Sequence, residues 1–537
     1  MLLPTPKQIE YFDDKFYLHS EMVVLAGDDY GEMALQVLNS LTSEINISFS
    51  NGLDPVIEFV LSSDAFHIKE AYRIEFCKGK VVLTYGDELG ARNAAISLCG
   101  LIEQDDNGFY LKACKITDYP DGEYRGVMID LGRKYLPLED IKTIIVQMAK
   151  AKYNTLRLHL LETEHNPVKT DVYPELNETP MQQYTKDQLK EIIEYADFFG
   201  LQIIPEIEMP AHGLFIIDKL EDLKCKTRNV EPSNWTMCVG SEKTYEILGN
   251  LIKEIAEIFP GEYIHIGTDE IEFTDVYQEQ RLWPTWDDCD VCAELSRKEN
   301  IEGKRELFYY FVRRIYDIVA GLGKKMMMWN DGIDISSSPN IPRDIRIQFW
   351  RVAGEGRGPV EGCSMQRFLE EGFHVVNSYY PETYLDLYME EEQILSWHPK
   401  ARPESTDEVK HLIIGGEMCA WEPNDHYGRT LPSAVFVFGD KLWGYSDREA
   451  TSDYRRALTR AVLGLQTPRD FDVFESLGGI LLVQDKDRLE NVQNVNQSKA
   501  KLEECVGVLH TLIDSGASGK TAAGEYIQSI NLMLSKV

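Results

Sequence analysis

The spacing of apolar and polar positions predicts that strands and helices alternate through the middle of the chain. Between residues 123 and 450, short apolar runs of strand length alternate with segments in which apolar residues recur every three or four positions. The eight predicted strands cover residues 125–131, 155–161, 202–208, 263–270, 325–331, 345–350, 374–380 and 411–418. Eight strands separated by helices, over about 330 residues, predict an α/β fold of the (β/α)8 TIM-barrel class with long loops.

The competing α/β arrangement is an open, doubly wound sheet. Such a sheet normally carries a glycine-rich phosphate-binding turn after its first strand. The corresponding stretch here is Asp130-Leu131-Gly132-Arg133, which lacks that pattern. We therefore favour the closed barrel.

The segment before the barrel has a different pattern. Residues 1–118 predict a small N-terminal α+β domain, in which residues 72–76 and 81–85 form a hairpin. The turn-rich residues 118–122 predict a domain boundary, so the catalytic barrel is expected at 119–450.

The segment after the barrel is predicted to be helical. Residues 451–537 form a C-terminal helical region in this interpretation, with helices at 454–465, 487–515 and 521–534. These helices are expected to pack on the barrel or on another subunit, which leaves a homodimer open.

The charge balance limits the partners of the chain. Its 537 residues include 55 Lys and Arg against 89 Asp and Glu, for a net charge of −34. Nucleic acids and anionic membranes bind proteins through basic side chains, so neither is an expected partner. No apolar run reaches the roughly 18 residues of a membrane helix, and the first residues show no basic region followed by an apolar core. We therefore expect a cytoplasmic protein.

The ten cysteines are scattered along the chain. Cys289 and Cys292 have the CxxC spacing of some metal and redox sites, but no second CxxC or histidine pair follows at zinc-finger distance. The expected role of most cysteines is that of small core residues. The sequence therefore predicts no metal and no cofactor.

Acids and aromatic residues recur where the predicted barrel strands end. The residues at these ends are Asp130, His159, Glu206, Glu208, Asp269, Glu270, Trp329, Asp331, Trp350, Tyr379, Tyr380 and Glu417. Active sites of TIM barrels lie at the carboxyl ends of the strands. Carboxylates accept hydrogen bonds from hydroxyl groups, and aromatic rings pack on the apolar faces of sugars. The pattern favours a neutral carbohydrate over a phosphorylated metabolite.

One stretch stands out among these ends. The run from Tyr263 to Ile266 predicts a buried strand, Gly267 permits close backbone approach, and two adjacent acids, Asp269 and Glu270, follow. On these residues alone, Asp269 could equally be a helix N-cap and Glu270 a surface acid.

The same stretch resembles the signature of a known family. His265-Ile266-Gly267-Thr268-Asp269-Glu270 is similar to the His-x-Gly-x-Asp-Glu motif of family-20 glycoside hydrolases, the β-N-acetylhexosaminidases. Four other stretches resemble family segments in the same order and spacing, namely residues 125–133, 205–212, 383–386 and 416–421. The resemblance covers about residues 60–445, and it implies a TIM barrel preceded by a small domain.

The resemblance also implies a mechanism in which the substrate's own 2-acetamido oxygen is the nucleophile. Glu270 would be the general acid and base. Asp269 would accept a hydrogen bond from the acetamido N–H, and Tyr384 would donate one to the acetamido oxygen. The implied activity is exo-acting and retaining, and removes terminal β-linked GlcNAc or GalNAc from a small glycan.

Further roles are implied position by position. The resemblance assigns substrate contacts to Arg125, His212, Trp329, Trp350, Asp386, Trp421 and Glu422. It assigns His159 and Glu208 to a supporting layer that orients the acids. For Arg125 the alternative is a structural salt bridge, for each Trp it is core packing, and for Glu208 with His212 it is a polar pair in the barrel core.

The chain departs from the family pattern in places. After the second strand the family has His-x-x-Asp-Asp-Gln-Gly-Trp, of which only His159 is kept, so Glu162 is the expected substitute for a missing acid. After Trp421 the usual glutamate position is held by Pro423, and Glu422 comes one residue early. The stretch from Trp283 to Cys292 has no counterpart and is expected to form an aglycone-side loop or an oligomer contact. The alternative functions are a sugar-binding barrel without catalysis and a hydrolase of another 2-acetamido sugar linkage, such as O-GlcNAc on protein.

Overall fold

A mixed eight-stranded sheet and two helices form the first part of the chain. The strand order is β1-β8-β5-β6-β4-β2-β3, with β7 paired to β8. The elements are β1 (Gln8–Tyr17), β2 (Glu21–Ala26), α1 (Asp29–Thr42), β3 (Ser48–Asn51), β4 (Ile57–Leu61), β5 (Tyr72–Cys77), β6 (Lys80–Tyr85), α2 (Glu88–Gly100), β7 (Ile102–Asp105) and β8 (Gly108–Asp118). The predicted hairpin is present, because β5 and β6 pair antiparallel with Tyr72 opposite Tyr85.

The computed structural model describes most of the chain. The described residues are 1–463 without 78, 180, 272, 274–283, 338, 352–363, 386–390, 401–404, 423–426 and 450, and further along 495–514, 523–524, 527–528 and 531.

Eight parallel strands close into a barrel, which confirms the predicted fold class and excludes the open sheet. The strands are β9 (Tyr124–Asp130), β10 (Thr155–Leu161), β11 (Gln202–Ile207), β12 (Tyr263–His265), β13 (Lys325–Trp329), β14 (Arg346–Phe349), β15 (Val375–Asn377) and β16 (Ile413–Ala420). Each strand pairs with its sequence neighbours, and β16 closes the barrel against β9. Strands β9 and β10 are buried at every position, as expected for a parallel sheet covered by helices.

Helices surround the barrel strands. They are α3 (Leu138–Lys150), α4 (Lys186–Phe198), α5 (Leu214–Lys219), α6 (Glu242–Ile258), α7 (Asp290–Glu299), α8 (Gly303–Gly321), α9 (Met365–Glu370), α10 (Glu391–Ser396) and α11 (Tyr427–Trp443). Helix α4 begins with a capping box: Thr185 accepts from the Gln188 N–H, and the Gln188 side chain accepts from the Thr185 N–H. The apolar stripe of α3, from Ile141 to Met148, faces the core.

The C-terminal region is helical where it is described, with α12 (Ser452–Leu463) and α13 (Val495–Asp514). Most of the helix predicted at 521–534 lies outside the described residues. None of the helices in the described part of the chain combines the length and the hydropathy that a membrane span requires.

The N-terminal domain is fastened to the amino-terminal end of the barrel by buried charges. Lys152, which follows α3, donates to Asp118 at 2.8 Å and to the Tyr72 hydroxyl at 2.6 Å. Trp443 donates its indole N–H to the same Asp118 at 2.9 Å. Arg125, at the start of β9, pairs with Glu70 of the N-terminal domain at 2.5 Å. The opposite end of the barrel, where the strands finish, is therefore left for a site.

Candidate active site

The two adjacent acids lie just beyond the carboxyl end of β12. The predicted fourth strand stops at His265 rather than at Glu270, because the backbone turns into the left-handed region directly afterwards. The φ angles are 63° at Gly267, 82° at Thr268 and 52° at Glu270. Left-handed backbone is unfavourable for residues with a side chain, above all for a β-branched one such as Thr268. Such strain concentrates at functional sites, where the surrounding structure maintains it.

Asp269 is buried, with 8% of its surface exposed. Burial raises the pKa of its carboxyl group, but the charge of His212 outweighs that effect and lowers the pKa below its ordinary value. The His212 Nε2 atom lies 3.4 Å from Asp269 Oδ2. Asp269 is therefore a carboxylate across the neutral pH range.

Glu270 has the opposite character. Burial raises its pKa, and the neighbouring carboxylates of Asp269 and Asp331 add to the increase, against the opposing charges of His212 and Arg351. Two hydrogen bonds fix its backbone: its N–H donates to Asp331 at 2.9 Å, and its carbonyl accepts from the Trp235 indole at 3.1 Å. A carboxyl group with a raised pKa, held in place by its own backbone, is suited to general acid catalysis.

A chain of buried groups connects Asp269 to the barrel interior. His212 contacts Glu162 through Nδ1 at 2.8 Å, and Glu162 also contacts His159 at 2.8 Å. On its other side His159 contacts Glu206 at 2.8 Å. Burial lowers the pKa of His159, but Glu206 and Glu162 outweigh it and raise the pKa to about 10. The chain thus alternates acids and protonated histidines.

Glu162, the expected substitute for the acid that the second-strand motif lacks, contacts both His212 and His159. Burial raises its pKa, but His212 and His159 outweigh that effect and lower the pKa well below its ordinary value. Its negative charge in turn raises the pKa of His212, together with Asp269 and against the effect of burial. The altered motif therefore still supplies an ionised acid to the histidine beside the acid pair.

Glu208 lies behind Asp269 and is fully buried. Burial raises its pKa well above the ordinary value, and the charges of Asp269 and Glu206 raise it further. Glu208 is therefore protonated beside the ionised Asp269. Its carboxyl group occupies the space that a Cβ atom at Gly267 would fill. The glycine of the signature motif is thus required both by its φ angle and by this close approach.

Four aromatic side chains form one wall beside the acids. The ring of Trp350 stacks on Tyr384 with centroids 6.2 Å apart and an interplanar angle of 21°. Trp421 lies 6.1 Å from Trp329 and 6.2 Å from Tyr384. The indole N–H of Trp350 donates to Asp331 at 3.0 Å, which connects the wall to the residue that holds Glu270. The structure thus brings together the four aromatic residues to which the sequence assigned substrate roles.

Arg125 lies at the other end of the barrel, so its predicted contact with sugar hydroxyls is wrong. It is 1% exposed and donates to the carbonyls of Lys152 and Gly122 at 2.8 Å each, besides its ion pair with Glu70. Strand β9 places Arg125 five residues before its end at Asp130, which is about 16–17 Å at about 3.3 Å per residue. The alternative of a structural salt bridge is the one that the geometry supports.

Arg133 is the arginine that sequence reasoning missed. It follows β9 at the carboxyl end, where its guanidinium contacts Asp130 at 2.9 Å and Glu162 at 3.1 Å. The guanidinium also lies 5.4 Å from the centre of the Trp421 ring, and its side chain is 18% exposed. The direction of the chain along β9 was the available signal, because only residues after the strand can reach this end.

The remaining predicted residues differ in position. Glu422 lies at the rim with a left-handed φ of 42°, its side chain 73% exposed and 4.0 Å from the Arg133 guanidinium. Asp386 lies outside the described residues, as does Trp283.

Trp286 is fully buried and donates to the Met237 carbonyl at 2.9 Å. The described part of the Trp283–Cys292 stretch also has exposed side chains, Asp287 and Asp290, and its role as an aglycone-side loop or an oligomer contact stays a prediction.

Two groups of side chains in the described part of the chain have metal-ligand chemistry. One is His159 with Glu206 and Glu208, close to the acids. Its Glu206 carboxylate already accepts from Arg157 and from the Trp329 indole, so a cation is not needed to balance it. The other is a set of four cysteines behind the site, namely Cys225, Cys238, Cys289 and Cys292.

Two family profiles match the chain. The profile described as "Glycosyl hydrolase family 20, catalytic domain" matches residues 123–428, and "Glycosyl hydrolase family 20, domain 2" matches residues 1–119. Among similar proteins, the beta-hexosaminidase subunit beta of Homo sapiens is 28% identical over 411 residues, which span 73% of this chain and 69% of the relative. The beta-hexosaminidase of Vibrio furnissii is 25% identical over 462 residues, or 78% of this chain and 72% of the relative.

Solved structures show the same fold. The GH20 exo beta-N-acetylglucosaminidase from Vibrio harveyi, in complex with N-acetylglucosamine, superposes with a TM-score of 0.75 at 22% identity, over 88% of this chain and 77% of that one. The Flavobacterium johnsoniae chitobiase superposes with a TM-score of 0.73 at 21% identity, over 100% of this chain and 93% of that one. Since the catalytic-domain profile also covers more than half of the residues, the chain belongs to glycosyl hydrolase family 20, a family of glycoside hydrolases.

Proposed function

We propose that the chain is an exo-acting, retaining β-N-acetylhexosaminidase that removes terminal non-reducing β-linked GlcNAc or GalNAc by substrate-assisted catalysis. The observation that carries the proposal is the opposite character of two neighbouring acids. Asp269 has a lowered pKa and Glu270 a raised one, beside an aromatic wall. Pairs of acids with separated pKa values mark the division between a charged group and a proton donor.

The first step needs a proton donor and an internal nucleophile. Glu270 donates its proton to the glycosidic oxygen as the bond from that oxygen to the anomeric carbon breaks. The carbonyl oxygen of the 2-acetamido group attacks the anomeric carbon from the other side, which gives a bicyclic oxazolinium ion and the released alcohol. Two adjacent residues cannot flank a sugar on both faces, as the usual two-carboxylate mechanism requires. The nucleophile must therefore come from elsewhere, and the substrate supplies it.

Asp269 would stabilise that ion. Its carboxylate accepts a hydrogen bond from the acetamido N–H and opposes the positive charge that develops on the ring. The charge of His212, set by Glu162, keeps Asp269 ionised in spite of its burial. The neutral Glu208 behind it adds no competing negative charge.

The second step returns the acid to its starting state. Glu270, now a carboxylate, takes a proton from a water molecule, and the resulting hydroxide adds to the anomeric carbon as the oxazolinium ring opens. The anomeric configuration is retained because two inversions have occurred at that carbon. The acetamido group, the proton and the enzyme are then as they began.

The aromatic wall and Arg133 would position the sugar. Tyr384 donates its hydroxyl proton to the acetamido oxygen, and Trp329, Trp350 and Trp421 enclose the acetamido group and the apolar face of the ring. A guanidinium offers several donors in a fixed plane. Arg133 is at the correct end of the barrel, so we assign to it the contact with ring hydroxyls that Arg125 is unable to make.

The substrate class can be tested with nitrophenyl glycosides. We expect turnover of the GlcNAc or GalNAc glycoside and at most trace hydrolysis of the matched glucoside and galactoside, which lack the internal nucleophile. Replacing the acetyl group with mono-, di- and trifluoroacetyl groups should lower kcat stepwise, since fluorine withdraws electrons from the attacking oxygen. A rate independent of fluorination would contradict substrate assistance, while leaving the family membership intact.

A sugar-binding barrel without catalysis would bind GlcNAc but show no turnover of any of these glycosides, and the raised pKa of Glu270 argues against it. We also propose a cytoplasmic location, which the eight free cysteines of the described chain support because thiols persist in reducing compartments. Fractionation of the source cells with marker enzymes tests the location.

A further inference from the structure

Four buried cysteines meet behind the acid pair, outside the carbohydrate site. Cys225 and Cys238 come from the loop that follows α5, and Cys289 and Cys292 from the segment at the start of α7. Each is at most 3% exposed, and the four sulfur atoms lie within 4.8 Å of one another. Sulfur to sulfur, Cys238 is 3.8 Å from Cys289 and 3.7 Å from Cys292.

These sulfur–sulfur distances match four thiolates around one metal ion, and they are too long for disulfide bonds. A disulfide holds its sulfurs about 2.05 Å apart. Zinc binds thiolates at about 2.3 Å in a tetrahedron, which places neighbouring sulfurs about 3.8 Å apart. Four thiols without a cation would also repel one another as soon as they ionised. We propose that Cys225, Cys238, Cys289 and Cys292 bind a single zinc ion.

The backbone around the cysteines stabilises thiolates. Cys289 is the N-cap residue of α7 and Cys292 lies in its first turn, where the helix dipole stabilises negative charge. Gly240 permits the close packing of the two segments, because a Cβ atom there would lie 2.6 Å from the Cys292 Cα. Residue Thr227 pairs with Cys289 as an isolated β-bridge.

A carboxylate next to the cluster fastens the same two segments together. Asp288 accepts hydrogen bonds from the backbone N–H groups of Arg228, Asn229 and Val230 at 2.9, 2.6 and 3.0 Å. The cluster therefore lies where two loops are already held in fixed register.

The zinc ion is structural, because four protein ligands complete its tetrahedron and leave no position for substrate. Its effect reaches the active site through the loop that carries Cys238. The backbone N–H of Met237, which precedes Cys238, donates to the Pro210 carbonyl at 2.8 Å. The Trp235 indole N–H donates to the Glu270 carbonyl at 3.1 Å, and its ring centre lies 4.3 Å from that of His212. The cysteines thus position Trp235, and through it the catalytic acid.

Metal analysis of the full-length protein tests the site. After gel filtration, mass spectrometry of the metal content is expected to find a single zinc ion per chain. Titration of the native protein with a mercurial reagent should release that zinc as four thiols react. Replacement by cobalt(II) should give the visible bands of a tetrahedral thiolate complex.

Variants supply the matched comparison. Cys238→Ser is expected to hold about a tenth of the zinc or less, whereas Cys114→Ser, which alters a buried thiol of β8 far from the cluster, should hold the wild-type amount. If Cys238→Ser fails to fold, the mercurial titration of the wild-type protein decides the matter alone. Iron in place of zinc, a native mass that shows disulfides, or absence of metal after growth in zinc-supplemented medium would each overturn the proposal.

Discussion

Both ends of the barrel bury charged side chains to a similar degree, but the interactions that these side chains make differ between the two ends. At the amino-terminal end, each of the three guanidinium nitrogens of Arg125 donates to an acceptor, and Lys152 donates to Asp118 and to the Tyr72 hydroxyl. At the carboxyl end, acids are placed against acids, and the pKa of Asp269 and that of Glu270 move in opposite directions.

This difference distinguishes the charged side chains that stabilise the fold from those that take part in the reaction. Complete pairing fixes two domains against each other and leaves no group ready to exchange a proton. Crowded acids cost stability, but they supply a donor and a charged group within one pocket. The predictions that follow separate the two ends by experiment.

The largest effect is expected at Glu270. Glu270→Gln keeps the shape of the side chain but removes the transferable proton, so kcat for an alkyl GlcNAc glycoside should fall roughly 10²–10⁴-fold. A dinitrophenyl glycoside, whose leaving group needs little protonation, should lose much less in its first step. Steady-state and burst kinetics measure both, and circular dichroism should show an unchanged fold. Equal losses for the two substrates would place the proton donor elsewhere.

The next effect is on stability, at the opposite end. Arg125→Met leaves the buried Glu70 carboxylate without its partner, which should cost about 3–5 kcal/mol of the free energy of unfolding. The kcat/KM of the folded fraction should stay at the wild-type value, because Arg125 is remote from the acids. Urea unfolding and nitrophenyl GlcNAc kinetics check the two statements.

A double variant controls for this result. Arg125→Met combined with Glu70→Gln removes both charges, so it should recover part of the lost stability. A loss of kcat/KM in the Arg125 variant at unchanged folded fraction would return that residue to the sugar site.

Arg133→Met should lower activity as well as stability. Losing the guanidinium donors to ring hydroxyls should lower kcat/KM about 10–200-fold, or roughly 1.5–3 kcal/mol, and the buried Asp130 carboxylate that loses its ion pair should lower the unfolding midpoint. Glu422 lies 4.0 Å from the guanidinium but is unable to replace those donors, because a carboxylate only accepts hydrogen bonds. If kcat/KM were unchanged and only stability fell, the two ends would not differ as described.

The smallest effect is a shift of the pH profile. Glu162→Gln removes the charge that raises the pKa of His212, so His212 loses its proton at lower pH. A neutral His212 no longer lowers the pKa of Glu270, so the basic limb of kcat/KM, where Glu270 loses its proton as pH rises, should move upward by about one pH unit. The acidic limb, where His212 still carries its proton beside Asp269, should stay. Glu139→Gln, which removes an exposed charge on α3, is the control that should move neither limb.

The barrel and the acid pair were predictable because their signals are local. Runs of four to eight apolar residues gave the strands, and polar residues directly after them gave the site. The family resemblance then assigned roles to Asp269 and Glu270. What the strand pattern missed was the true end of β12, since the left-handed turn at Thr268 has no signature in apolar spacing.

The errors came from groups that only the fold brings together. Arg125 and Arg133 lie in the same motif, and the resemblance did not distinguish the start of β9 from its end. The cysteine pair at 289–292 has a recognisable spacing, but its partners Cys225 and Cys238 lie 64 and 51 residues upstream of Cys289, and no local pattern connects them. Glu162 was expected as a substitute, but its contact with His212 depends on how the segments that follow β10 and β11 pack together.

Gly267 has a consequence for how this pocket can change over time. The carboxyl group of Glu208 fills the volume that a methyl group at position 267 would need. A shorter acid at position 208 would remove that clash, but the left-handed φ of 63° would still disfavour any side chain at position 267. Two independent constraints therefore act on the same residue, so a substitution at position 208 alone does not make room for a larger residue in the signature motif.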